Sequence, residues 1–354
     1  MLTPEVSKER VEHFLDDHFT SLEQDASQQG EAYQRTIRIA HDVALNGGKR
    51  LRPYMSMLIY EAYSGQSGDS ILPVAAAQEV MHLAMLVHDD IMDGDTTRHG
   101  QLNVTGRALE VYAPLIEDKD ERRRRAEHVA LLMGDLLVGE AYALTDDVDG
   151  IDPKTMSKAR RLFRTATRTV VGGQLNDAEA PFVGAQAVSP RQIAHDKTAH
   201  YSFVTPLLVG ATLAEAPQAE LDKLKEIGEK TGIAYQLRDD ILGVFGNPAV
   251  TGKSADGDLR EGKRTLLTEV FEQTSSYAQR QQFELLRQTI LGRPGEAAQF
   301  KRMRQLLKPA QRIVEHEIDT TRSEVSRLIG GLAIESDYRN ALGRLSSRSL
   351  SRNY

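Results

Sequence analysis

The most pointed chemical signal in this 354-residue chain is a pair of carboxylate clusters. The first is His88-Asp89-Asp90-Ile91-Met92-Asp93, and the second is Gln236-Leu237-Arg238-Asp239-Asp240-Ile241-Leu242-Gly243. On a helix, Asp89 and Asp93 are four apart and share a face, with Asp90 about 100° round. Carboxylates ending an apolar helix are costly unless something neutralises them. Magnesium suits such a site, because it takes one or two carboxylates and completes its octahedron with water and phosphate oxygens. The competing reading is a helix end that opens into an acidic, solvated loop, with Asp95 part of it. Two clusters at matching helix ends, if they faced one cavity, would hold several divalent ions around a polyanion such as a diphosphate.

A third cluster is basic. Gly47-Gly48-Lys49-Arg50-Leu51-Arg52-Pro53 places three cations in four residues behind a Gly-Gly break. A flexible backbone, a lysine point charge and an arginine fork suit a phosphate group, although a plain basic turn has the same composition. The G-x-x-x-x-G-K-[ST] spacing of a P-loop is absent. Weaker candidates fall away. Asp147-Val148-Asp149-Gly150 resembles part of a calcium loop, but position twelve is Lys158 instead of Glu. His195 and His200 are five apart, which misses the one-face zinc spacing. Met81, Met85 and Met92 read as gap-filling core.

Helices must position these clusters. Apolar residues recur with helical period over 5–25, 31–45, 51–64, 71–93, 126–145, 154–180, 192–214 and 218–245, with a break expected at Gly172-Gly173. Further, more charged helical segments follow over 263–291, 295–306 and 308–347. No useful stretch alternates with period two, and only 12 prolines interrupt the chain. The fold class is therefore all-α, a single large helical bundle. With no linker-like composition, residues 1–354 read as one domain, with 1–30 an N-terminal helical segment and 346–354 a frayed tail.

Charge narrows the partners. There are 44 Lys and Arg against 51 Asp and Glu, a net −7, which argues against nucleic acid. The basic run Arg122–Arg125 follows a run of acids and reads as a solvated surface. Absence of cysteine excludes disulfides and thiolate chemistry and fits a reducing, cytoplasmic setting. The charged N-terminal stretch does not read as a signal peptide, and the apolar stretch around Phe203–Ala214 falls short of a membrane span. Transient membrane contact for product release is the most that is expected.

Taken in order, the motifs resemble the polyprenyl synthetase family, the trans-isoprenyl diphosphate synthases, over nearly the whole chain. Gly47–Pro53 is similar to the family's GGKRxRP signature, and Asp89–Asp93 to its first aspartate-rich motif in the short DDxxD form. Gly173-Gln174 with Asp177 resembles its GQxxD element, and Lys197-Thr198 its KT element. Gln236–Gly243 is similar to the second aspartate-rich region, and Lys253 with Asp258–Thr265 to the basic segment after it.

The resemblance implies an all-α fold around a deep cavity, usually in a homodimer. It implies that isopentenyl diphosphate condenses with an allylic diphosphate, carried on about three magnesium ions by Asp89, Asp90, Asp93, Asp239 and Asp240. Arg98, Lys197, Lys253 and Lys263 would add positive charge at the allylic diphosphate and its surroundings. Lys49, Arg50, Arg52, His82 and His99 would bind isopentenyl diphosphate, and Gln174, Thr198 and Gln236 would stabilise the allylic cation by their dipoles. The released diphosphate takes the proton in this family, so no protein base with a tuned pKa is needed. Two departures stand out. His99 replaces the second arginine of the usual Arg-Arg-Gly, implying a weaker or pH-dependent contact. Gly243 replaces a third aspartate, which Asp256 or Asp258 would compensate through water.

Side chains one helical turn before Asp89 would form a floor under the growing product, since a turn rises 5.4 Å. Ala84 is too small to block, Met85 can swing aside, and Met81 lies a turn deeper. The expected product is geranylgeranyl diphosphate or somewhat longer, with Ala84→Phe shortening it to C15, and residues near Val129–Gly134 are expected to shape the same pocket. The alternatives are a farnesyl diphosphate synthase, a terpene cyclase, which would not need Gly47–Pro53, and a non-catalytic subunit of a heteromeric synthase.

Overall fold

The computed structural model describes residues 1–98, 100–146, 148–183, 188–246, 257–290 and 295–351, and the chain forms two compact units. The first unit comprises residues 1–160 and 210–215. It holds α1 (Pro4–Ala26), α2 (Glu31–Leu45), α3 (Leu51–Ser64), α4 (Leu72–Asp93), a hairpin of β1 (Thr97–Arg98) and β2 (Gln101–Leu102), α5 (Val104–Tyr112) and α6 (Lys119–Ala143). Thr3 starts α1 by accepting a hydrogen bond from the Val6 amide at 3.3 Å, just before a proline at the first helical position. The core helix is α4, whose Val74, Ala75, Ala76, Ala77 and Ala84 are fully buried. By length and composition the stretch Gly68–Asp93 passes as a membrane span, which the sequence reading assigned to no segment. Two thirds of it lies buried in this unit, packed along α6, and that accounts for its apolarity.

The second unit comprises residues 161–209 and 216–354. Most of α7 (Pro153–Val183) belongs to it, followed by α8 (Pro190–Ala194), a π-helical stretch (His195–Val204) and α9 (Thr205–Leu213), whose last residues belong to the first unit. Then come α10 (Gln218–Phe245), α11 (Gly257–Glu261), α12 (Leu266–Thr274), α13 (Tyr277–Ile290), α14 (Ala297–Gly330) and α15 (Ser336–Ser351). One core joins α10 to α12, α14 and α15 through Leu237, Ile241, Phe271, Leu307, Val314 and Leu350.

Helices dominate as expected, with local corrections. The break expected at Gly172-Gly173 is absent, because tertiary packing rather than propensity decides this position. Pro309 lies inside α14, flanked by the buried Leu307 and Ala310. The long final segment instead divides at Gly330–Glu335, where the buried Glu220 accepts the Ala333 amide at 2.8 Å. The tail expected to fray from residue 346 is helical to Ser351. Leu350 is fully buried there, and its carbonyl accepts from Arg238 Nε at 3.1 Å. The run Arg122–Arg125 starts α6, where Arg123 Nη2 donates to the Gly94 carbonyl at 2.8 Å and so caps α4.

Candidate active site

In the first unit, α4 carries the first aspartate cluster to its C-terminal turn, where Gly94 adopts φ 71° and ends the helix. A left-handed residue is needed there, and glycine supplies it without strain. Asp89 is half-buried, Asp93 is exposed, and Asp90 is only 4% exposed. The hairpin that follows brings Arg98 back onto them. Arg98 donates to Asp90 Oδ1 through Nε at 3.0 Å and Nη2 at 2.6 Å, and approaches Asp89 Oδ2 at 3.4 Å. Burial pushes the Asp90 carboxyl above its ordinary pKa, while Arg98 works in the opposite direction. For Arg98 burial works downward, but the hydrogen bond and charge of Asp90 outweigh it and hold the guanidinium above its ordinary value. Asn103 fixes the hairpin: its side chain donates to the Asp95 carbonyl at 2.9 Å and accepts the Gly106 amide at 2.8 Å.

The neighbouring helix α6 reaches this turn at Gly134. A methyl group there would lie 2.2 Å from His88 Nε2, so only glycine permits the approach. His82 lies two turns before Asp89 on the same face and is half-buried. Of the three positions considered for product length, Ala84 has no exposed surface and Met81 is 7% exposed, while Met85 is half-buried.

The basic segment precedes α3. Gly47 and Gly48 have φ of 79° and 94°, and Arg50 is left-handed at 46°. Lys49 is exposed and Arg52 half-buried. Arg50 is among the side chains expected to bind ligand. It is buried, and its guanidinium donates to Glu12 Oε1 at 3.2 Å, Glu79 Oε2 at 3.2 Å and the Ala44 carbonyl at 2.6 Å. All three nitrogens are engaged by the protein, so Arg50 anchors the loop. Glu79, buried on α4, also lies 3.8 Å from Arg52 Nη1 and therefore orients both arginines. Sequence reasoning missed Glu79 and Asn103. For Glu79 the signal was available: a carboxylate in the middle of an otherwise apolar helix requires a cation partner.

In the second unit, the π-helical stretch presents Lys197 and Thr198. It is gripped by glycines on both flanks. A Cβ on Gly173 of α7 would meet the Lys197 amide nitrogen at 2.4 Å, and one on Gly232 of α10 would meet Ala199 Cα at 2.4 Å. Lys197 Nζ pairs with Asp177 Oδ2 at 2.6 Å, from the turn of α7 after Gly173-Gln174. Gln174 is half-buried there. Thr198 Oγ1 donates to Gln236 Oε1 at 2.9 Å, and Gln236 Nε2 donates to Asp240 Oδ1 at 2.9 Å. Asp240 Oδ2 then accepts the Leu266 amide at 2.9 Å, which anchors the start of α12. Asp240 is buried and Asp239 half-buried. Lys263, just before α12, is half-buried. Nearby, burial and then the charge of His195 push His200 below its ordinary pKa.

His99, Lys253 and Asp256 lie outside the described residues, as do the Asp258 side chain and the Asp147 end of the calcium-like segment. Among the described residues, no three His, Asp or Glu side chains already converge as a closed metal-binding group. The donor set still fits magnesium. It is made of carboxylate oxygens and lacks sulfur, with Asp93 exposed at the end of α4 and Asp89 and Asp239 half-buried. A cation that keeps waters and phosphate oxygens does not require a preformed protein cage.

Comparison with known proteins places these features in one family. The polyprenyl synthetase family model matches residues 34–307. The geranylgeranyl diphosphate synthase of Saccharolobus solfataricus is 31% identical over 262 residues, covering 73% of this chain and 68% of that protein. A short chain isoprenyl diphosphate synthase of Methanocaldococcus jannaschii is 30% identical, over 62% of this chain and 61% of that protein, so that match spans about three fifths of the relative's length. Among solved structures, geranylgeranyl pyrophosphate synthase of Corynebacterium glutamicum, complexed with isoprenyl diphosphate and magnesium, aligns over 99% of this chain and 98% of its own. The TM-score is 0.87 and the identity 29%. The Trypanosoma brucei farnesyl diphosphate synthase, at 20% identity and TM-score 0.78, shares the fold. The chain belongs to the polyprenyl synthetase family.

Proposed function

We propose that this protein is a trans-prenyltransferase that condenses isopentenyl diphosphate with an allylic diphosphate, head to tail. The observation that carries the proposal is the repeated construction of its two aspartate pairs. At each, the second aspartate is buried and holds a following segment, and the first is half-buried beside it. About three magnesium ions, held chiefly by Asp89, Asp93 and Asp239 with Asp90 and Asp240 behind them, would supply the positive charge that stabilises the departing diphosphate.

The chain's own groups do the rest. Arg98, held at 2.6 Å by Asp90, and Lys197, held at 2.6 Å by Asp177, are cations fixed in place before substrate arrives, and Lys253 and Lys263 add to them. Preorganised charge of this kind costs no reorganisation as negative charge develops on the leaving group. Lys49 and Arg52, with His82, bind isopentenyl diphosphate, with Glu79 orienting Arg52 and Arg50 supporting the loop. Thr198 and Gln236, already in one hydrogen-bonded chain, direct their dipoles at the allylic cation, and Gln174 joins them. His99 takes the place of a second arginine at isopentenyl diphosphate.

The product is geranylgeranyl diphosphate or somewhat longer. Met85 is a flexible side chain one turn from Asp89, and neither it nor the small Ala84 offers a rigid block. The enzyme works as a single polyprenyl synthetase domain, in a cytoplasmic homodimer. Exposed Leu131 and Leu132 on α6, and Val171 and Leu175 on α7, supply apolar surface for such an association. The test is incubation of the pure protein with magnesium, isopentenyl diphosphate and each allylic diphosphate in turn, with mass analysis of products. Condensation to C20 or longer supports the proposal, and no condensation with any primer overturns it.

A further inference from the structure

The second unit carries a cationic cleft to which none of the motif residues contributes. It has a volume of about 540 Å³ and lies between the C-terminal turns of α14 and the length of α15. That size falls in the range of about 300–1,000 Å³ common for small-molecule sites. Four arginines line it, Arg322, Arg339, Arg344 and Arg348, and no Asp or Glu does among the described residues. Its apolar floor includes the buried Val325 and Ile329.

The four arginines are not equivalent. Arg339 is committed to the Leu332 and Ile334 carbonyls, where it closes the turn between the two helices. Arg322 pairs with Asp319 at 2.8 Å. Arg344 and Arg348 have no carboxylate within salt-bridge distance among the described residues. They are four apart on α15, so they project from one face a single turn apart. Like charges in this relation destabilise a helix. Several other arginines are matched with acids, Arg10 with Asp69, Arg125 with Glu121, Arg191 with Glu317 and Arg287 with Glu284. Arg164 and Arg168, four apart on α7, share with Arg344 and Arg348 the lack of an ion pair among the described residues but do not line this cleft. Two exposed guanidinium forks without a carboxylate partner among the described residues, with a third at the edge of the cleft, place positive potential along one wall. Their planar donors suit phosphate oxygens two at a time.

We propose that this cleft is an anion site for a phosphate or diphosphate group, with Arg344 and Arg348 as its principal ligands. The group is either free inorganic diphosphate or the head of a prenyl diphosphate whose first apolar carbons rest on Val325 and Ile329. The site is argued from the cleft alone and does not depend on the transferase activity.

The experiment is calorimetric titration of the full chain with inorganic diphosphate, and separately with farnesyl diphosphate, in excess chelator. Four proteins are compared: wild type, R344A/R348A, R344K/R348K and K49A/R52A. The expected result is one binding event that survives K49A/R52A. It weakens at least tenfold in R344A/R348A and is partly kept in R344K/R348K. Tighter binding of farnesyl diphosphate assigns the prenyl-bearing ligand, and equal binding assigns free diphosphate. The R344A/R348A protein should melt at or slightly above the wild-type temperature without anion and lose the anion-induced rise in melting temperature. Its initial rate of condensation should stay unchanged, so failure of this site is distinguishable from failure of the proposed activity. Equal binding by wild type and R344A/R348A overturns the proposal.

Discussion

The two Asp-Asp pairs end buried helices in different units, and they divide their labour in the same way with different chemistry. At α4 the buried member, Asp90, holds a cation, Arg98 of the hairpin. At α10 the buried member, Asp240, holds neutral donors, the Leu266 amide and the Gln236 side chain. In both, the first aspartate is left half-buried. A sequence repeat therefore encodes one role for the first residue and one for the second. The difference lies in the segment each one holds, a hairpin at α4 and the start of a helix at α10. Removing the α4 anchor takes from Arg98 its shortest contact, and removing the α10 anchor takes from the Leu266 amide and the Gln236 side chain their acceptor.

This contrast sets the order of expected effects. Asp90→Ala leaves the partly buried Arg98 with only its longer contact to Asp89 and should destabilise the protein by up to about 3–5 kcal/mol in denaturant titration. A loss below about 1 kcal/mol would contradict the anchoring role of Asp90. Asp240→Ala removes the acceptor of the Leu266 amide and the Gln236 side chain and should cost at least about 1–3 kcal/mol. It should also lower activity indirectly, by releasing Gln236 and the start of α12.

The glycines that position each region give a second, smaller contrast. At Gly173 an added methyl meets backbone, the Lys197 amide, while at Gly134 it meets the His88 ring. Backbone yields less readily than a side chain. Both alanine variants should lose about 1–3 kcal/mol, Gly173→Ala the more, measured by thermal melting.

The smallest effect concerns pH. Burial holds His200 below its ordinary pKa of 6.5. The unfolded chain therefore binds the proton first, so His200 favours folding above pH 6.5 and that contribution is lost as pH falls below it. His200→Gln should flatten the fall in melting temperature as pH drops below 6.5. A profile parallel to wild type would contradict the assignment.

Much of this was legible in the residues. Helical period and scarce proline announced the all-α class, and the motif order announced both carboxylate clusters and the basic loop. What escaped notice depended on tertiary partners. Arg50 looks like Arg52 in sequence, yet its left-handed backbone turns it inward onto Glu12 and Glu79. Gly172-Gly173 looks like a helix break because local propensity cannot reveal that another backbone lies 2.4 Å from the missing Cβ. The two-residue strands that return Arg98 to Asp90 are too short to carry any alternating pattern. Leu350 looked like part of a loose tail, since only the α10 and α14 surfaces it covers make it core.

The central claim is that the first aspartate of each pair does chemistry and the second holds structure. It is tested most directly at Asp239, by measuring condensation at saturating magnesium together with the melting temperature of Asp239→Ala. A fall in turnover of about a thousandfold, with melting unchanged, is the predicted result, consistent with several kcal/mol of lost charge stabilisation. Near-normal turnover in that variant would contradict it.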